Sequence, residues 1–303
     1  DAFRIFAIRL PVTKRTYVTG IEFHPGNARV VHHANIRIDR TAATRQLDEA
    51  DPLPGYDGLI LHSAEYPDGH FLGWTPGQAS PLAPKGLAWR LSPGGEFVVQ
   101  LHLRPTGGAE RIQPAIGLYF SDDPPTRLPA MLRLGRQNID IPPGKADYRS
   151  VDAFTLPVDV QVQAIQPHAH YRATRVQARA ELADDTTQEI IQISRWDFGW
   201  QDVYRVADPY WLPAGTKIVT EFTFDNSARN LRNPESPPRR ALWGFKSSDE
   251  MADVWIQVLA RTEADRQRLI STFRAKATTE DTVGYELQLR QNPGNAALHD
   301  DVA

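Results

Sequence analysis

The stretch Val158-Asp-Val-Gln-Val-Gln-Ala-Ile165 alternates apolar and polar side chains almost without exception. Successive side chains of a β-strand point to opposite faces of the sheet, so this alternation predicts a strand with one buried and one polar face. Half-buried strands of this kind are typical of antiparallel sheets. The stretch therefore favours an antiparallel β architecture for this part of the chain.

Strand-like segments separated by turn residues occur along most of the chain. Further β-rich runs span residues 30–36, 96–103 and 217–224, and 20 glycines and 24 prolines supply turns between short segments. Many short strands at regular spacing are typical of sandwiches and barrels. We therefore expect an all-β protein of two tandem antiparallel β-sandwich domains, jelly-roll-like in kind, with a short C-terminal helical segment.

The boundary between the two domains is predicted at a proline-rich segment. Prolines occupy three of the nine positions from Ser121 to Pro129, and proline cannot occupy a central strand. We therefore place an N-terminal sandwich at residues 1–126 and a second sandwich at residues 127–262. Each is long enough to enclose a core of its own.

The character of the sequence changes after about Thr262. Residues 263–273 and 282–290 carry apolar side chains at helical spacing, which predicts a helical extension over residues 263–303. The stretch from 292 to 299 resembles the opening of a tetratricopeptide-like repeat. Such repeats would offer a surface for a protein partner.

Composition narrows the class of protein. The 303 residues carry a formal charge of −3, which does not suggest a nucleic-acid-binding surface, and no apolar stretch is long enough to predict a transmembrane helix. Cysteine is absent, so any metal must be held by His, Asp, Glu or Met. Because the sequence begins at Asp1 rather than methionine, we expect a processed or expressed form of the protein, so that any signal peptide lies outside this sequence.

Five of the nine histidines form two groups. His168 and His170 would point to the same side of a strand, with Cβ atoms about 6 to 7 Å apart, so their rings could share one ion. His32 and His33 are adjacent and would normally face opposite sides, so they can share an ion only if the strand is twisted or bulged. His102 could complete that site if its strand neighbours theirs. Taken singly, each histidine could instead be a packing or surface residue.

Met251 is a candidate third ligand for the second group. It is one of only two methionines and directly precedes a β-rich run. A thioether is a soft ligand that favours Cu(I), whereas most methionines simply fill a core. Both interpretations remain open from the residue alone.

Several short motifs, taken in order, resemble one enzyme family. They are VHHANI (31–36), QLHL (100–103), PHAHY (167–171) and SSDEM (247–251), with Gly73-Trp-Thr-Pro-Gly77 and Lys85-Gly-Leu-Ala-Trp89 as further matches. This set resembles the copper type II, ascorbate-dependent monooxygenases, which include peptidylglycine α-hydroxylating monooxygenase and dopamine β-monooxygenase. The resemblance covers roughly residues 1–262.

The resemblance implies two β-sandwich domains that each carry one copper ion. The electron-transfer copper would be held by His32, His33 and His102. The copper that meets O2 and performs the chemistry would be held by His168, His170 and Met251. A reductant such as ascorbate would deliver electrons, and a C–H bond of the substrate would be hydroxylated.

Three positions depart from the peptide-processing member of the family. Where that enzyme has Arg, Asn and Tyr, which bind the carboxylate of its peptide substrate, this chain has Gln166, Asp253 and Trp255. Loss of the cationic side chain and gain of an acidic one disfavour an anionic substrate, so a peptidyl-glycine is not expected. A neutral or cationic molecule with an aromatic or aliphatic part fits better, with Trp255 as a stacking surface. Alternatively, Asp253 is a solvated charge and Trp255 a core residue.

One further stretch, Trp196-Asp-Phe-Gly-Trp-Gln201, is rich in aromatic residues and could form a flat surface that binds a carbohydrate. Aromatic residues in a β-domain more commonly fill a core. We therefore predict a structural role for it.

The leading hypothesis is a bacterial copper monooxygenase. Because the family is lumenal or secreted, the resemblance implies a periplasmic or extracellular location, with ascorbate or a redox protein as electron donor. The competing hypothesis is a noncatalytic copper carrier or sensor that uses the same ligands. Substrate-dependent oxygen consumption would separate the two.

Overall fold

The computed structural model describes residues 2–57, 60–61, 63–76, 78, 82–291 and 293. This part of the chain consists mainly of antiparallel β-sheets with one long C-terminal helix, which confirms the predicted all-β, sandwich-like fold. The chain divides into two compact units between Pro129 and Ala130, at the end of the proline-rich segment. The sequence placed this boundary after residue 126.

The first unit contains two sheets and a short helix. Its elements are β1 (Ala2–Arg9), β2 (Thr16–His24), β3 (Val31–Asp39), α1 (Ala43–Ala50), β4 (Ala64–Glu65), a 3-10 turn (Pro67–Gly69), β5 (Gly73–Trp74), β6 (Trp89–Leu91), β7 (Glu96–Leu103) and β8 (Ala115–Ser121). One sheet has the order β1-β7-β3-β4, with β5 also paired to β3, and the other has the order β6-β2-β8.

The core of the first unit is filled from both of these sheets. Val18 and Phe23 come from β2, and Ile36, Val99 and Leu101 come from β3 and β7. All five are buried. Val99 and Leu101 share a face by strand alternation, whereas Val18 and Phe23 are five positions apart and lie on either side of a register irregularity between Val18 and Gly20. Packing of two sheets through such faces is the arrangement of a β-sandwich.

The second unit has more strands and includes the long helix. Its elements are β9 (Ala130–Leu134), β10 (Asp140–Ile141), β11 (Tyr148–Thr155), β12 (Val160–Ala169), β13 (Ala173–Glu181), β14 (Thr187–Ile193), β15 (Tyr204–Arg205), β16 (Trp211–Leu212), β17 (Lys217–Phe224), β18 (Ala241–Leu242), β19 (Ala252–Ala260) and α2 (Glu263–Gln291). Sheet orders are β11-β17-β13-β14 and β15-β12-β19-β9, with β16 also paired to β12 and with β10 paired to β18.

The alternating apolar and polar residues of strand β12 face the core and the opposite side of the sheet in turn, with one interruption. Val160 and Val162 face the core of the unit. A register irregularity between Val162 and Ala164 then shifts the pairing with β19, and Ile165 and Ala169 face the core beyond it. The bulge therefore exchanges the faces, and it leaves the second half of the strand free to present polar side chains on the side away from the core.

Helix α2 is part of the second unit rather than a detached extension. Asp265 N–H donates to Thr262 Oγ1 at 3.1 Å and Thr262 Oγ1 donates to Asp265 Oδ2 at 2.8 Å, an arrangement that caps the start of the helix. Leu269 and Phe273 enter the core, where the Phe273 ring lies 5.1 Å from that of Phe154. The helix thus contributes to the core of this unit.

The two predicted helical segments are joined into one continuous helix. Its polar middle is held by contacts with the sheets, including Lys276 Nζ to Asp152 Oδ2 at 2.6 Å and an ion pair of Asp281 with Arg133. The repeat-like stretch from 292 to 299 lies outside the described residues except for Pro293. Within the described chain, no helix is long and apolar enough to cross a membrane.

Candidate metal centres

The first candidate centre lies where β3 and β7 pair. His33 is the direct cross-strand partner of His102, whereas Val31 pairs with Leu103, so His32 is an extra residue in a bulge. A bulge re-aims side chains that would otherwise alternate. From the sequence, His32 and His33 could share an ion only in a twisted or bulged strand, and the strand is bulged at this point.

Three ring nitrogens converge at this bulge. His32 Nδ1 lies 3.1 Å from His102 Nδ1 and 3.2 Å from His33 Nδ1. The rings stand edge to face, with centroids 4.9 to 5.2 Å apart. One ligand nitrogen from each of the three rings lies within 4.8 Å of the other two. Three nitrogens this close could bind a single cation.

The charge state of these rings suits metal binding. Burial, reinforced by the positive charge of Arg104, lowers the pKa of His32 and of His102 to about 4. Both rings are therefore neutral at neutral pH, and a neutral imidazole is the form that binds a metal.

Strand β1 places an aromatic ring against one of the three histidines of this centre. Phe3 is the cross-strand partner of His102, and its ring stacks on the imidazole with centroids 4.5 Å apart and planes 15° apart. The stacked ring restricts the orientation of His102. This contact was not predicted, because nothing in the sequence indicates that β1 and β7 are neighbours.

The second candidate centre lies at the end of the β12–β19 ladder. His168 pairs with Asp253 and Ala169 with Ala252, the last pair of the ladder, and His170 and Met251 are the next residues of the two segments. The His168 and His170 rings have centroids 5.1 Å apart. The register thus brings together two segments that are distant in sequence.

Hydrogen bonds define which nitrogen of each ring can bind a metal. Gln201 donates from Nε2 to Phe198 O at 3.0 Å, so its Oε1 faces His168 Nδ1, at 2.6 Å. His170 Nδ1 lies 3.1 Å from Asp249 O. Because both partners are carbonyl oxygens, both Nδ1 atoms carry the proton, and Nε2 is the acceptor nitrogen of each ring.

Gln201 belongs to the aromatic-rich stretch for which a structural role was predicted. Trp196 and Phe198 are indeed buried, and Trp196 Nε1 donates to His170 O at 3.2 Å. Trp200, however, is 71% exposed, and Gln201 contacts a predicted ligand directly. The sequence missed this second role, for which the only signal was a polar residue at the end of an aromatic run.

The three predicted substrate residues share a face of the sheet with His168. Gln166 pairs with Trp255, directly beside the pair of His168 with Asp253. The neighbours of Asp253 in β19, such as Val254, belong to the core instead. Strand alternation thus places all three on the side away from the core.

Asp253 is not an exposed charge. It is only 5% exposed, and burial raises the pKa of its carboxyl group, while the nearby Arg133 and His168 oppose that rise. The guanidinium of Arg133 also lies 5.7 Å from the ring of Trp255. The negative charge expected from the sequence is therefore offset by a neighbouring cation.

The donor chemistry of the two centres differs. The first offers three imidazoles, a set that suits copper, zinc, iron or nickel. The second offers two imidazoles. Met251, whose thioether would favour Cu(I), lies in the segment bonded to His170, where it is half-buried and packed against the core of the second unit. Both sets fit copper, and the thioether is what distinguishes copper from the harder metals.

No protein-family model matches this chain, and no curated protein matches it significantly. Solved structures similar to the chain include infectious bursal disease virus Gt strain, with 10% identity, a TM-score of 0.25 and coverage of 86% of this chain and 57% of that chain. The subviral particle of VP2 from the same virus has 11% identity, a TM-score of 0.22 and coverage of 86% and 58%. This chain spans less than two thirds of the length of either viral protein. Structural similarity at this level indicates neither its fold nor its function.

Proposed function

We propose that the protein is a dicopper monooxygenase that hydroxylates a C–H bond of a small organic substrate with O2 and an external reductant. The observation that carries the proposal is the convergence of His32, His33 and His102 in the first unit; the strand register that brings His168 and His170 next to the segment of Met251 in the second unit supports it. A single structural metal would not require two sets of different softness. The motif resemblance points to the same assignment.

His32, His33 and His102 would hold the electron-transfer copper. Their Nδ1 atoms already lie 3.1 and 3.2 Å apart in pairs, and the stacking of Phe3 restricts the ring of His102. Neutral imidazoles are ligands for both Cu(I) and Cu(II). A rigid set of this kind favours electron transfer because little must move when the charge of the ion changes.

His168, His170 and Met251 would hold the catalytic copper. When bound, that copper would supply the activation of O2 for hydroxylation. The side chain of Gln201 and the carbonyl of Asp249 keep the protons on Nδ1 of the two histidines, so that Nε2 of each ring would be the nitrogen available to hold the ion. The soft sulfur of Met251 would favour its reduced state.

The substrate would lie against the face formed by Gln166, Asp253 and Trp255. Gln166 carries no charge, and Arg133 offsets the charge of Asp253. We therefore infer a neutral substrate with an aromatic or aliphatic part, and a cationic one second, because a buried carboxylate that already faces a cation offers less to another. A peptidyl-glycine remains disfavoured, since position 166 has no cationic side chain.

We further propose a periplasmic or extracellular location and ascorbate or a redox protein as the electron donor. These follow from the resemblance and from the need to supply copper, O2 and a reductant together. A protein partner of the C-terminal repeat-like segment remains a prediction.

Oxygen uptake tests the proposal directly. Copper-loaded protein is given ascorbate and a panel of neutral, cationic and anionic aromatic or aliphatic molecules, and product formed under 18O2 is analysed by mass spectrometry. We expect one labelled oxygen atom in the product, with uptake that depends on the substrate. Copper transfer to an acceptor protein, without any substrate-dependent uptake, would instead support the carrier or sensor.

A further inference from the structure

We propose that Glu250 and Arg172 form a charged clasp that fixes the spacing of His170 and Met251 before any metal binds. This inference rests on the proposed function, and it makes both residues positioning residues of the second centre. Glu250 directly precedes Met251, and Arg172 follows His170 by two residues.

The carboxylate of Glu250 binds the backbone of the histidine segment. Its Oε2 accepts the backbone N–H of His170 at 3.1 Å, and its Oε1 accepts the backbone N–H of Arg172 at 2.7 Å. Both amides lie beyond the last ladder pair, Ala169 with Ala252. The carboxylate therefore continues the connection between the two segments past the point at which strand pairing ends.

The guanidinium of Arg172 binds the methionine segment in return. Its Nη1 donates to Ser248 O at 2.7 Å, and its Nε donates to Asn226 Oδ1 at 2.9 Å. With the contact of His170 Nδ1 to Asp249 O, the two segments are joined by bonds in both directions. Each segment thus uses a side chain to hold the backbone of the other.

The backbone of Glu250 is itself fixed. Its N–H donates to Leu242 O at 3.0 Å, and its carbonyl accepts the N–H of Gly244 at 3.2 Å. The carboxylate is therefore held from behind by the chain next to β18. Movement of His170 relative to Met251 would have to break this set of bonds.

The clasp is wholly buried, since both side chains are 0% exposed, with Arg172 Nη1 and Glu250 Oε1 3.9 Å apart. Burial raises the pKa of Glu250 and lowers the pKa of Arg172, and each effect is opposed by the charge of the partner, which reflects the cost of removing both charges from water. Well-packed apolar residues are commonly as stabilising as a buried pair. The directional bonds to the ligand segments, rather than stability, are what this pair adds.

Glu235 provides a matched control. Its Oε2 accepts from Arg172 Nη2 at 3.1 Å, but it bonds to neither ligand segment, and its side chain is 28% exposed. Glu250→Gln and Glu235→Gln each remove one negative charge beside Arg172. Only the former alters the bonds that join His170 to Met251.

The first test measures Cu(I) affinity by competition with a chelator, together with the sulfur signal in X-ray absorption. We expect Glu250→Gln to weaken the second centre about 10- to 100-fold and to reduce the sulfur signal, as for other groups that orient metal ligands. The affinity of the first centre serves as an internal reference. Equal effects of Glu250→Gln and Glu235→Gln, or no effect of either, would overturn the clasp.

The second test needs no copper. Amide hydrogen exchange of the metal-free protein should show protected N–H groups at His170 and Arg172 in the wild type and in Glu235→Gln. In Glu250→Gln, where an NH2 group replaces one of the two acceptor oxygens, at least one of these amides should exchange faster. Unchanged protection in Glu250→Gln would overturn the inference. A wild-type protein that binds no second copper would reject the proposed function, while this comparison would still judge the clasp.

Loss of folding in Glu250→Gln would be addressed with the double variant E250Q/R172Q, which removes both buried charges. We expect it to fold and still to bind Cu(I) weakly at the second centre. A folded double variant with wild-type affinity there would overturn the positioning role.

Discussion

His33 lies directly opposite His102 in the ladder between β3 and β7, while His32 is the residue that bulges out of it. Without the bulge, His32 and His33 would point to opposite faces of the sheet. With it, the Nδ1 atoms of all three rings approach within 3.1 to 3.2 Å of a neighbour. The candidate centre of the first unit therefore depends on an irregularity in strand pairing as much as on the histidines.

Replacement of His102 by Ala should reduce the copper content from two ions per chain to one. The loss should fall on the first unit, because His33 and His32 would retain only two of the three imidazoles. Metal analysis after dialysis and electron paramagnetic resonance would measure it. His24→Ala is the control, since that side chain is 62% exposed and should leave both ions in place. Retention of two ions by His102→Ala would contradict the assignment.

Met251→Ile should retain copper in the first unit and abolish hydroxylation. We expect turnover to fall by more than about 100-fold, beyond the range typical of groups that only support a ligand. The variant keeps the apolar volume next to the core but removes the soft donor. The control is Met131→Ile. Met131, the other methionine, lies in β9 and pairs with Gln257 of β19, and its variant should turn over normally. Unchanged turnover in Met251→Ile would reject the role of the thioether.

Gln201→Leu should weaken the second centre about 10- to 100-fold, because His168 would lose the acceptor that keeps its proton on Nδ1. Gln201→Glu restores an acceptor oxygen at the same place and should recover much of the affinity. Chelator competition on both variants would measure this. Equal affinities of the Leu variant and the wild type would show that Gln201 does not orient the ring.

Leu269→Ala should destabilise the second unit by about 2 to 5 kcal/mol, because it leaves a cavity where α2 enters the core. Urea unfolding followed by tryptophan fluorescence would report the change. Leu231→Ala is the matched control: that side chain is 98% exposed, and the expected change is within about 0.5 kcal/mol. Equal stabilities of the two variants would mean that α2 is not part of the core.

The stability of the first unit should fall in acid partly through Asp39. Burial alone would raise the pKa of this carboxyl, but hydrogen bonds from Thr44 and Thr41 outweigh it and hold the pKa below its ordinary value of 3.8. A depressed pKa contributes stability that is complete above the unfolded value and is lost as the pH falls through the folded value. Urea unfolding at pH 7, 5 and 3 would follow this loss.

Asp39→Asn provides the comparison for that experiment. We expect the wild type to exceed the variant in stability at pH 7 and pH 5, with the difference shrinking at pH 3. The hydrogen bonds concerned reach Thr41 Oγ1 at 2.7 Å and Thr44 Oγ1 at 2.6 Å, so the effect should include the start of α1. A difference that stays constant with pH would rule out this carboxylate as the source.

Much of the fold could be predicted because short-range patterns reflect burial. Alternation in the stretch from 158 to 165 corresponds to β12, and the apolar spacing after Thr262 corresponds to α2. Continuity of α2 could not be predicted, since its polar middle is fixed by Lys276 binding Asp152, a residue far away in sequence. Local pattern carries no information about such partners.

The candidate sites were also predictable only in part: the sequence indicated the candidate ligands but not the residues that surround them. Residue chemistry and order indicated His32, His102, His168 and Met251, but the roles of those residues remain predictions. The contact of Gln201 with His168 and the burial of Asp253 beside Arg133 were not foreseen. Each depends on which loop or strand lies next to which.

The sequence by itself determined the strand pattern, the absence of cysteine ligands and the presence of imidazole and thioether donors. Tertiary structure alone decided that a bulge turns His32 towards His102 and that strand register brings the segment of His168 and His170 next to the segment of Met251. The physical reason is that a side chain's facing depends on local backbone periodicity, whereas convergence of donors depends on pairing between strands that are distant in sequence. A shift of one residue in register would reverse the faces and separate the same donors.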